Sequence, residues 1–353
     1  MGGLSSALLL LIFLGGAGAT WAAGMMLSKT TDALDARLGL GEDIGGLIFL
    51  SIAGSLPEVA ITISAAAAGN LGLAAGNLIG GIAIQTMVLL ICDFATGPSR
   101  PLTYLVGRLT PVLEGLLVII LVAGVDMGSL LKTSTAIGGV VNPASIGIVV
   151  VWSVGLYVIN RASKNPRWNI EMPGSRPGRH RHERAHPDAV HPYATWTTAK
   201  VAALFGFASA ITLGAGVLLE ESGNVLANRV GVNGVIFGAT VLAAASALPE
   251  ISSGIAAVAL GDHALAMGDI LGGNAFQVCL FLLADLVAGQ PVLQSAGPQN
   301  ALLAALGVAL TGIYGFGVIV RPNRCRARLG PDSILALVVF AIGIAGLFFV
   351  GPG

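Results

Sequence analysis

The sequence is poor in charged residues, and this scarcity decides its class. Lys, Arg, Asp and Glu together make up 10% of the 353 residues, whereas 55% are hydrophobic. Soluble domains carry roughly a quarter charged residues, so this chain has too few to cover a water-facing surface. A soluble enzyme with a large core and a polar disordered chain are therefore both excluded. The composition indicates an all-α polytopic membrane protein.

Other features that are scarce exclude further classes. The three cysteines, Cys92, Cys279 and Cys325, are scattered without a CxxC pair, so neither a disulfide framework nor a zinc site is expected. Basic and acidic residues balance at 18 each, which argues against a nucleic-acid partner. The hydrophobic stretches contain no Ser/His pair, HExxH or paired catalytic Asp motif. We therefore expect neither an enzyme nor a cofactor.

Hydrophobic stretches long enough to cross a bilayer core of roughly 30 Å recur along the chain. The ten predicted spans are 4–27, 43–68, 71–93, 103–125, 137–160, 197–220, 232–260, 263–289, 299–320 and 331–351. The polar interruption at 161–196 separates five spans in 1–160 from five in 197–353. This interruption is basic and contains His180, His182, His186 and His191. It could bind metal or sense pH, but a solvated linker is the simpler interpretation.

The distribution of basic residues predicts the orientation of the spans. With the N-terminus outside, the outer loops contain only Lys132 and Arg229, whereas the inner loops and the linker contain the other loop cations. The first apolar stretch lacks the basic start of a signal peptide, so we count it as a span. We expect both termini outside, a cytoplasmic linker, a monomeric functional unit and a prokaryotic plasma membrane.

The two halves of the chain contain an internal repeat. A shift of 192 residues aligns 44–93 with 236–285, and 20 of the 50 positions are identical. The matches include Pro57/Pro249, Glu58/Glu250, Gln85/Gln277 and Asp93/Asp285, which similar apolar composition does not explain. Five spans per copy is an odd number, so the second copy enters the membrane inverted. Inverted repeats with polar residues at matched depths are typical of secondary transporters.

Glu58 and Glu250 are the leading candidates for function. Each lies well inside a predicted span, where a carboxylate is costly unless it is protonated, paired or bound to metal. Pro57 and Pro249 remove backbone donors and free carbonyl oxygens about one turn earlier. An all-oxygen cage of this kind suits a hard cation such as Ca²⁺ better than a softer transition metal.

Further candidates recur at matched positions in both copies. Gln85 and Gln277 follow their glutamates by 27 residues and are predicted ligands or supports of ligands. The glycine pairs before them permit close helix approach and expose backbone. The possible ligands are Gly54, Ser55, Ser246, Ala247, Gly81 and Gly273, and the candidate access-path residues are Asn77, Asp269, Asp93 and Asp285. For Asp93 and Asp285, helix-end capping is the simpler interpretation. Glu114, which has no acidic twin, is predicted to pair near Arg108 rather than to act as a proton relay.

These motifs resemble the alpha repeats of the calcium/cation antiporter superfamily, which includes sodium/calcium and proton/calcium exchangers. The first copy reads GSLPE at 54–58 and GNLIGGIAIQ at 76–85, and the second reads SALPE at 246–250 and GDILGGNAFQ at 268–277. The resemblance implies exchange by alternating access, with Glu58 and Glu250 as central ligands. It also implies that the first and sixth spans slide across the site as gates.

Departures from the family motif leave the ions open. Gly81 and Gly273 replace the usual Ser, Gln85 and Gln277 replace Asn or Asp, and Gly54-Ser55 and Ser246-Ala247 replace Thr-Ser. The lost hydroxyls weaken the case for sodium coupling, whereas two glutamates that release one divalent cation can carry two protons back. We therefore expect exchange of Ca²⁺ or a related cation for H⁺ or Na⁺. A cation channel, or an antiporter of this fold for another cation, is the alternative.

Overall fold

The computed structural model describes residues 1–38, 51–164, 193, 195–295 and 297–350, except for the side chains at 32, 35, 36 and 38. All long elements in these ranges are helices. They are α1 Ser6–Leu38, α2 Leu56–Ala67, α3 Leu71–Ala95, α4 Thr110–Ser129, α5 Pro143–Lys164, α6 Thr198–Val230, α7 Gly234–Ser246, α8 Leu248–Ala259, α9 His263–Ala288, α10 Pro298–Val320 and α11 Pro331–Leu347. Residues 51–54 are also helical and directly precede α2.

Seven of the described helices are long and apolar enough to cross a membrane, and the bent pair α7–α8 makes an eighth if it is one span. The all-helical membrane fold agrees with the sequence prediction. Two predicted spans fall short of this length in the described residues. The span at 43–68 begins outside them and continues as the 12-residue α2, and the span at 331–351 corresponds to the 17-residue α11. Most of the predicted linker, including its four histidines, also lies outside the described residues.

Proline breaks the helix at the same point of each repeat. Pro57 and Pro249 occupy the second positions of α2 and α8, where a missing backbone N–H is tolerated. The residue just before each helix has almost the same conformation, with φ −82° and ψ 10° at Ser55 and φ −80° and ψ 2° at Ala247. The second break bends the chain by 44° between α7 and α8. Each glutamate therefore lies in the first turn after a break.

Helices α3 and α9 form the centre of the molecule. Of their most apolar stretches, 67% and 61% of residues are buried, against 17% for α5. Glycines bring the broken helices close to them. A Cβ added at Gly76 of α3 would lie 2.6 Å from the carbonyl oxygen of Val235 in α7, and one at Gly272 of α9 would lie 2.8 Å from Oγ of Ser51. Each central helix thus packs against the broken segment of the other repeat.

Helices α1 and α6 are the longest in the described chain and lie against each other. Each has 33 residues, or about 50 Å at the rise of an α-helix, which exceeds the thickness of the bilayer core. Gly24 of α1 faces Pro249, and Gly216 of α6 faces Pro57, where an added Cβ would lie 3.0 Å from the proline's carbonyl oxygen. The two long helices therefore touch the two breaks at matched positions of the repeat.

Candidate cation-binding site

Glu58 and Glu250, the glutamates at matched positions of the two repeats, both lie buried at the centre of the protein. Glu58 is fully buried and Glu250 is 7% exposed, and the two carboxylates lie close enough to interact electrostatically. Neither Oε2 atom has a hydrogen-bond partner. Carboxylate oxygens without partners at this depth require a proton or a cation.

Each glutamate is faced by the break of the opposite repeat. The Ser246 hydroxyl approaches the Glu58 carboxylate, and it donates a hydrogen bond to the carbonyl of Ala243 at 3.1 Å. Gly54, the twin of Ser246, faces Glu250, and a Cβ added there would lie 3.9 Å from Oε1 of that glutamate. The repeat thus places matched positions opposite the two carboxylates, with a hydroxyl on one side and bare backbone on the other.

The two glutamines occupy the same repeat position but bind different groups. Nε2 of Gln85 donates to Oε1 of Glu58 at 3.0 Å. Nε2 of Gln277 instead donates to the carbonyls of Asn77 and Leu78, at 3.1 and 2.9 Å, and its Oε1 has no partner. The structure therefore brings Gln85 to the carboxylate, whereas the amide oxygen of Gln277 has no hydrogen-bond partner.

Gly81 makes room for Gln277 of the other repeat. A Cβ added at Gly81 would lie 3.2 Å from Cδ of Gln277 and would overlap its Nε2. The longer amide and the loss of the Ser side chain are thus linked across the repeats, because the longer Gln fills the space that Gly leaves. Gly273 has a looser environment, with Oγ of Ser55 3.9 Å from an added Cβ, and that hydroxyl donates to the Ser51 carbonyl at 2.8 Å. Ala247, the twin of Ser55, is buried and contributes no hydroxyl.

Two polar residues near the centre were not among the predicted site residues. Asn274 is fully buried, donates from Nδ2 to Oγ1 of Thr86 at 3.0 Å, and has no partner for Oδ1. Its place directly after the glycine pair of the second motif was a signal for it. Thr86 had no such signal, since the twin position is Val278. Within the described residues, no group of three or more His, Cys, Asp or Glu side chains could hold a metal ion.

The candidate access-path residues fall in two places. Asp93 and Asp285 lie near the ends of α3 and α9 and bind backbone amides. Asp93 accepts from Leu102 N and Gly330 N, and Asp285 accepts from Val292 N and Asn142 N.

Asn77 and Asp269 lie deeper, on α3 and α9. The Asn77 side chain is buried without partners, whereas Asp269 accepts a hydrogen bond from Ser253 at 2.7 Å.

The predicted pairing of Glu114 with Arg108 does not form, because Glu114 is buried while Arg108 is exposed.

A buried pair of carboxylates between two broken helices of a multi-span membrane protein is typical of a cation transporter. Comparison with known proteins identifies the family. The profile of the sodium/calcium exchanger protein family matches residues 7–160 and 200–350. The chain therefore belongs to that family and is an integral membrane antiporter. The family transports Ca²⁺ in exchange for Na⁺ or H⁺.

Two curated relatives cover most of the chain. The putative antiporter CaxA of Alkalimonas amylolytica is 25% identical over 276 residues, which are 78% of this chain and 79% of the relative. The inner membrane protein YrbG of Escherichia coli K12 is 26% identical over 265 residues, which are 75% and 73% of the two chains.

Solved structures share the fold at low identity. The H⁺/Ca²⁺ exchanger CAX aligns with a TM-score of 0.66 at 13% identity over 97% of this chain and 82% of that one. The sodium-calcium exchanger NCX_Mj, soaked with Na⁺ and Sr²⁺, aligns with a TM-score of 0.60 at 14% identity over 97% and 99%.

Proposed function

We propose that the protein is a secondary antiporter that exchanges Ca²⁺ or a related divalent cation for H⁺ or Na⁺ at a site formed by Glu58 and Glu250. The observation that carries the proposal is the pair of buried carboxylates, each with a free Oε2. Two ionised glutamates balance the charge of one divalent cation. Oxygen ligands of this hardness favour Ca²⁺ over softer metals.

The oxygen set around the pair supplies the remaining ligands. We assign Oε1 of Gln277 and the hydroxyl of Ser246 as direct ligands, and Gln85 as the donor that orients Glu58. Backbone oxygens at the breaks, near Gly54 and Ala247, complete the coordination. Gly81 leaves space for Gln277, and Gly273 leaves space beside Ser55, whose hydroxyl donates to the Ser51 carbonyl.

The positions of α1 and α6 against the two breaks support exchange by alternating access. We propose that the chain has ten spans in two inverted five-helix repeats, 1–160 and 197–353, joined by a cytoplasmic linker with both termini outside. Under this topology α1 and α6 slide along Pro249 and Pro57, and they cover the glutamates alternately from the two faces. The glycine contacts at Gly24 and Gly216 support this movement, because bulk at either position obstructs the sliding surface.

Flux into liposomes tests the proposal. The purified protein is reconstituted, and ⁴⁵Ca²⁺ uptake is measured with an outward proton gradient, an outward Na⁺ gradient or none. We expect saturable uptake that depends on a counter-ion gradient, and its loss in both Glu58→Gln and Glu250→Gln.

The exposed Glu221 of α6 supplies the matched control, since Glu221→Gln removes a carboxylate that is not buried. Gradient-independent, non-saturating flux would identify a channel and overturn the proposal. Unchanged flux in both glutamate variants would overturn the assignment of the site.

A further inference from the structure

Glu220 is a buried acid of α6 that the proposed cation site does not use. It is 1% exposed and lies one helical turn beyond Gly216, which faces the break at Pro57. Each of its carboxylate oxygens accepts a hydrogen bond from the first repeat. Ser64 of α2 donates from Oγ to Oε2 at 2.8 Å, and Asn70 donates from Nδ2 to Oε1 at 3.1 Å. These bonds join α6 to the α2–α3 turn, 150 and 156 residues earlier in the chain.

The surroundings make this contact a strong one. Leu219, the preceding residue of α6, belongs to a buried apolar cluster that includes Ile61 and Leu73. Hydrogen bonds to an ionised acceptor are about twice as strong as those between neutral groups. A buried carboxylate that moved away from both donors would be left without partners, which is costly. The contact therefore favours the position of α6 at which both donors stay within reach.

The contact fixes the register between α2 and α6. Gly216 lies against Pro57 and Ala60, and Glu220, one turn later, binds Ser64, which is one turn after Ala60. The two helices therefore run in the same direction along their contact. A shift of α6 by one helical turn is about 5.4 Å, which carries the carboxylate out of hydrogen-bond range of both donors. The sliding that we propose for α6 must break these two bonds.

The two repeats have the same turn here but use the side chain on it differently. Gly69 and Gly261 both have positive φ, at 75° and 78°. The next residues, Asn70 and Asp262, donate their backbone N–H to the preceding helix at 2.8 and 3.0 Å. The Asp262 side chain caps the first turn of α9 at 2.9 Å, whereas the Asn70 side chain does not cap α3 and instead binds Glu220. Asn70 thus serves α6 rather than its own helix.

The matching positions at the opposite face lack the acid on the long helix. The residues that correspond to Glu220, Ser64 and Asn70 after the shift of 192 residues are Ser28, Ala256 and Asp262. Alanine has no side-chain donor, and the aspartate is used as a cap. The carboxylate with its two donors therefore occurs at one face only. Under the proposed topology this is the outer face.

We propose that Glu220 is a latch that holds α6 against the α2–α3 turn in one of the two access states, with Ser64 and Asn70 as the groups that bind it. This inference rests on the proposed antiport, in which α6 slides past the breaks. Glu220 is a positioning residue, since it acts through the place of α6 rather than on the cation. Because the latch forms at one face only, it favours one access state over the other and opens in each transport cycle.

Exchange of donor and acceptor tests the latch without changing the size of either side chain. Asn70→Asp places a second carboxylate beside Glu220, so it should open the latch. Glu220→Gln alone keeps a neutral acceptor and should weaken the latch less. The double variant Asn70→Asp with Glu220→Gln pairs one amide with one carboxylate again, and it should therefore undo most of the effect of Asn70→Asp.

The distance between spin labels at the ends of α4 and α6 reports the position of α6. Leu130→Cys and Val230→Cys carry the labels, because both positions are exposed, and Cys325→Ser removes the one native cysteine that is not buried. Pulsed electron paramagnetic resonance is recorded in lipid nanodiscs without Ca²⁺. We expect two distance populations. In Asn70→Asp their ratio should shift at least about tenfold away from the major wild-type population, which corresponds to about 1.4 kcal/mol.

Controls distinguish a latch from a purely structural contact. Glu221→Gln, on the exposed neighbour, should leave the ratio of distances unchanged. The double variant should return the ratio to within about threefold of wild type, a margin of roughly 0.6 kcal/mol. An unchanged ratio in Asn70→Asp, or no recovery in the double variant, would overturn the latch. A lower Tm in Asn70→Asp with unchanged distances would show that the contact only stabilises the fold, and would overturn it too.

Calcium uptake by the same proteins in liposomes separates this inference from the proposed function. Gradient-driven uptake by the wild type together with unchanged distances in Asn70→Asp would overturn the latch and leave the antiport intact. A shift of the distances in Asn70→Asp without gradient-driven uptake by the wild type would overturn the proposed function, although α6 would be shown to be latched.

Discussion

Asp93 ties together segments that are far apart in the sequence, and we expect Asp93→Ala to destabilise the protein without changing its cation affinity. Oδ1 of Asp93 accepts from Leu102 N at 2.6 Å, and Oδ2 accepts from Gly330 N at 2.7 Å. The side chain is 1% exposed. Alanine therefore leaves two buried backbone N–H groups without acceptors.

The size of the effect follows from these two bonds. A hydrogen bond to a charged group contributes about 1.5–3 kcal/mol, so two contribute about 3–6 kcal/mol to the free energy of unfolding. Relaxation of the loops toward water reduces the loss, and we expect about 3 kcal/mol for Asp93→Ala. Asp93→Asn keeps one acceptor oxygen and should lose about half as much.

Thermal unfolding in detergent, followed by tryptophan fluorescence, measures the loss. At roughly 2 °C per kcal/mol, Asp93→Ala should lower Tm by about 6 °C, while the exposed control Glu221→Gln should change it by less than about 1 °C. Calcium affinity of the folded fraction should stay at the wild-type value. An unchanged Tm with weakened Ca²⁺ affinity would refute this reasoning and assign Asp93 to a cation-attracting mouth instead.

Three further substitutions test contacts at the site. Gly216→Leu should reduce transport at least about tenfold, because its side chain collides with Ala60 and Pro57, whereas Gly214→Leu, in open space, should transport normally in the liposome assay. Gly81→Ala should weaken Ca²⁺ binding about tenfold by displacing Gln277, a loss near 1.4 kcal/mol that calorimetry resolves; Gly147→Ala, in open space, is its control. Gly54→Ser should place a hydroxyl beside Glu250 without a clash, and so lower the Na⁺ concentration that halves Ca²⁺ uptake.

The repeat predicted the centre of the fold from sequence because its signals are local. Pro57 and Pro249 interrupt their helices whatever packs around them, since the missing N–H and the ring clash are local effects that do not depend on tertiary contacts. A glutamate one residue later then lies in the first turn of each short helix, at the same position of both copies. The Gln85 contact to Glu58 could be expected for the same reason, since both belong to one motif.

The contacts that the sequence did not predict depend on the opposite repeat. Gln85 and Gln277 have identical motif positions, yet only Gln85 binds a glutamate. Gln277 instead occupies the space beside Gly81 and donates to a backbone carbonyl of α3. Glu114 was paired with the nearby Arg108, whereas the fold places it against Gly268, more than 150 residues away. Gly330, the partner of Asp93, is 237 residues distant. Such pairings require the packing of both halves.

Direct measurement of calcium binding tests the central claim most directly. Isothermal titration of the purified protein with Ca²⁺ should give one site per chain. The Ca²⁺ affinity should fall at least about thirtyfold in each of Glu58→Gln and Glu250→Gln. Each variant removes one carboxylate that pairs with the cation, and the loss of one partner of a buried charge pair costs about 2–5 kcal/mol. Wild-type affinity in either variant, or a stoichiometry that survives in the double variant, would contradict a site formed by the two carboxylates.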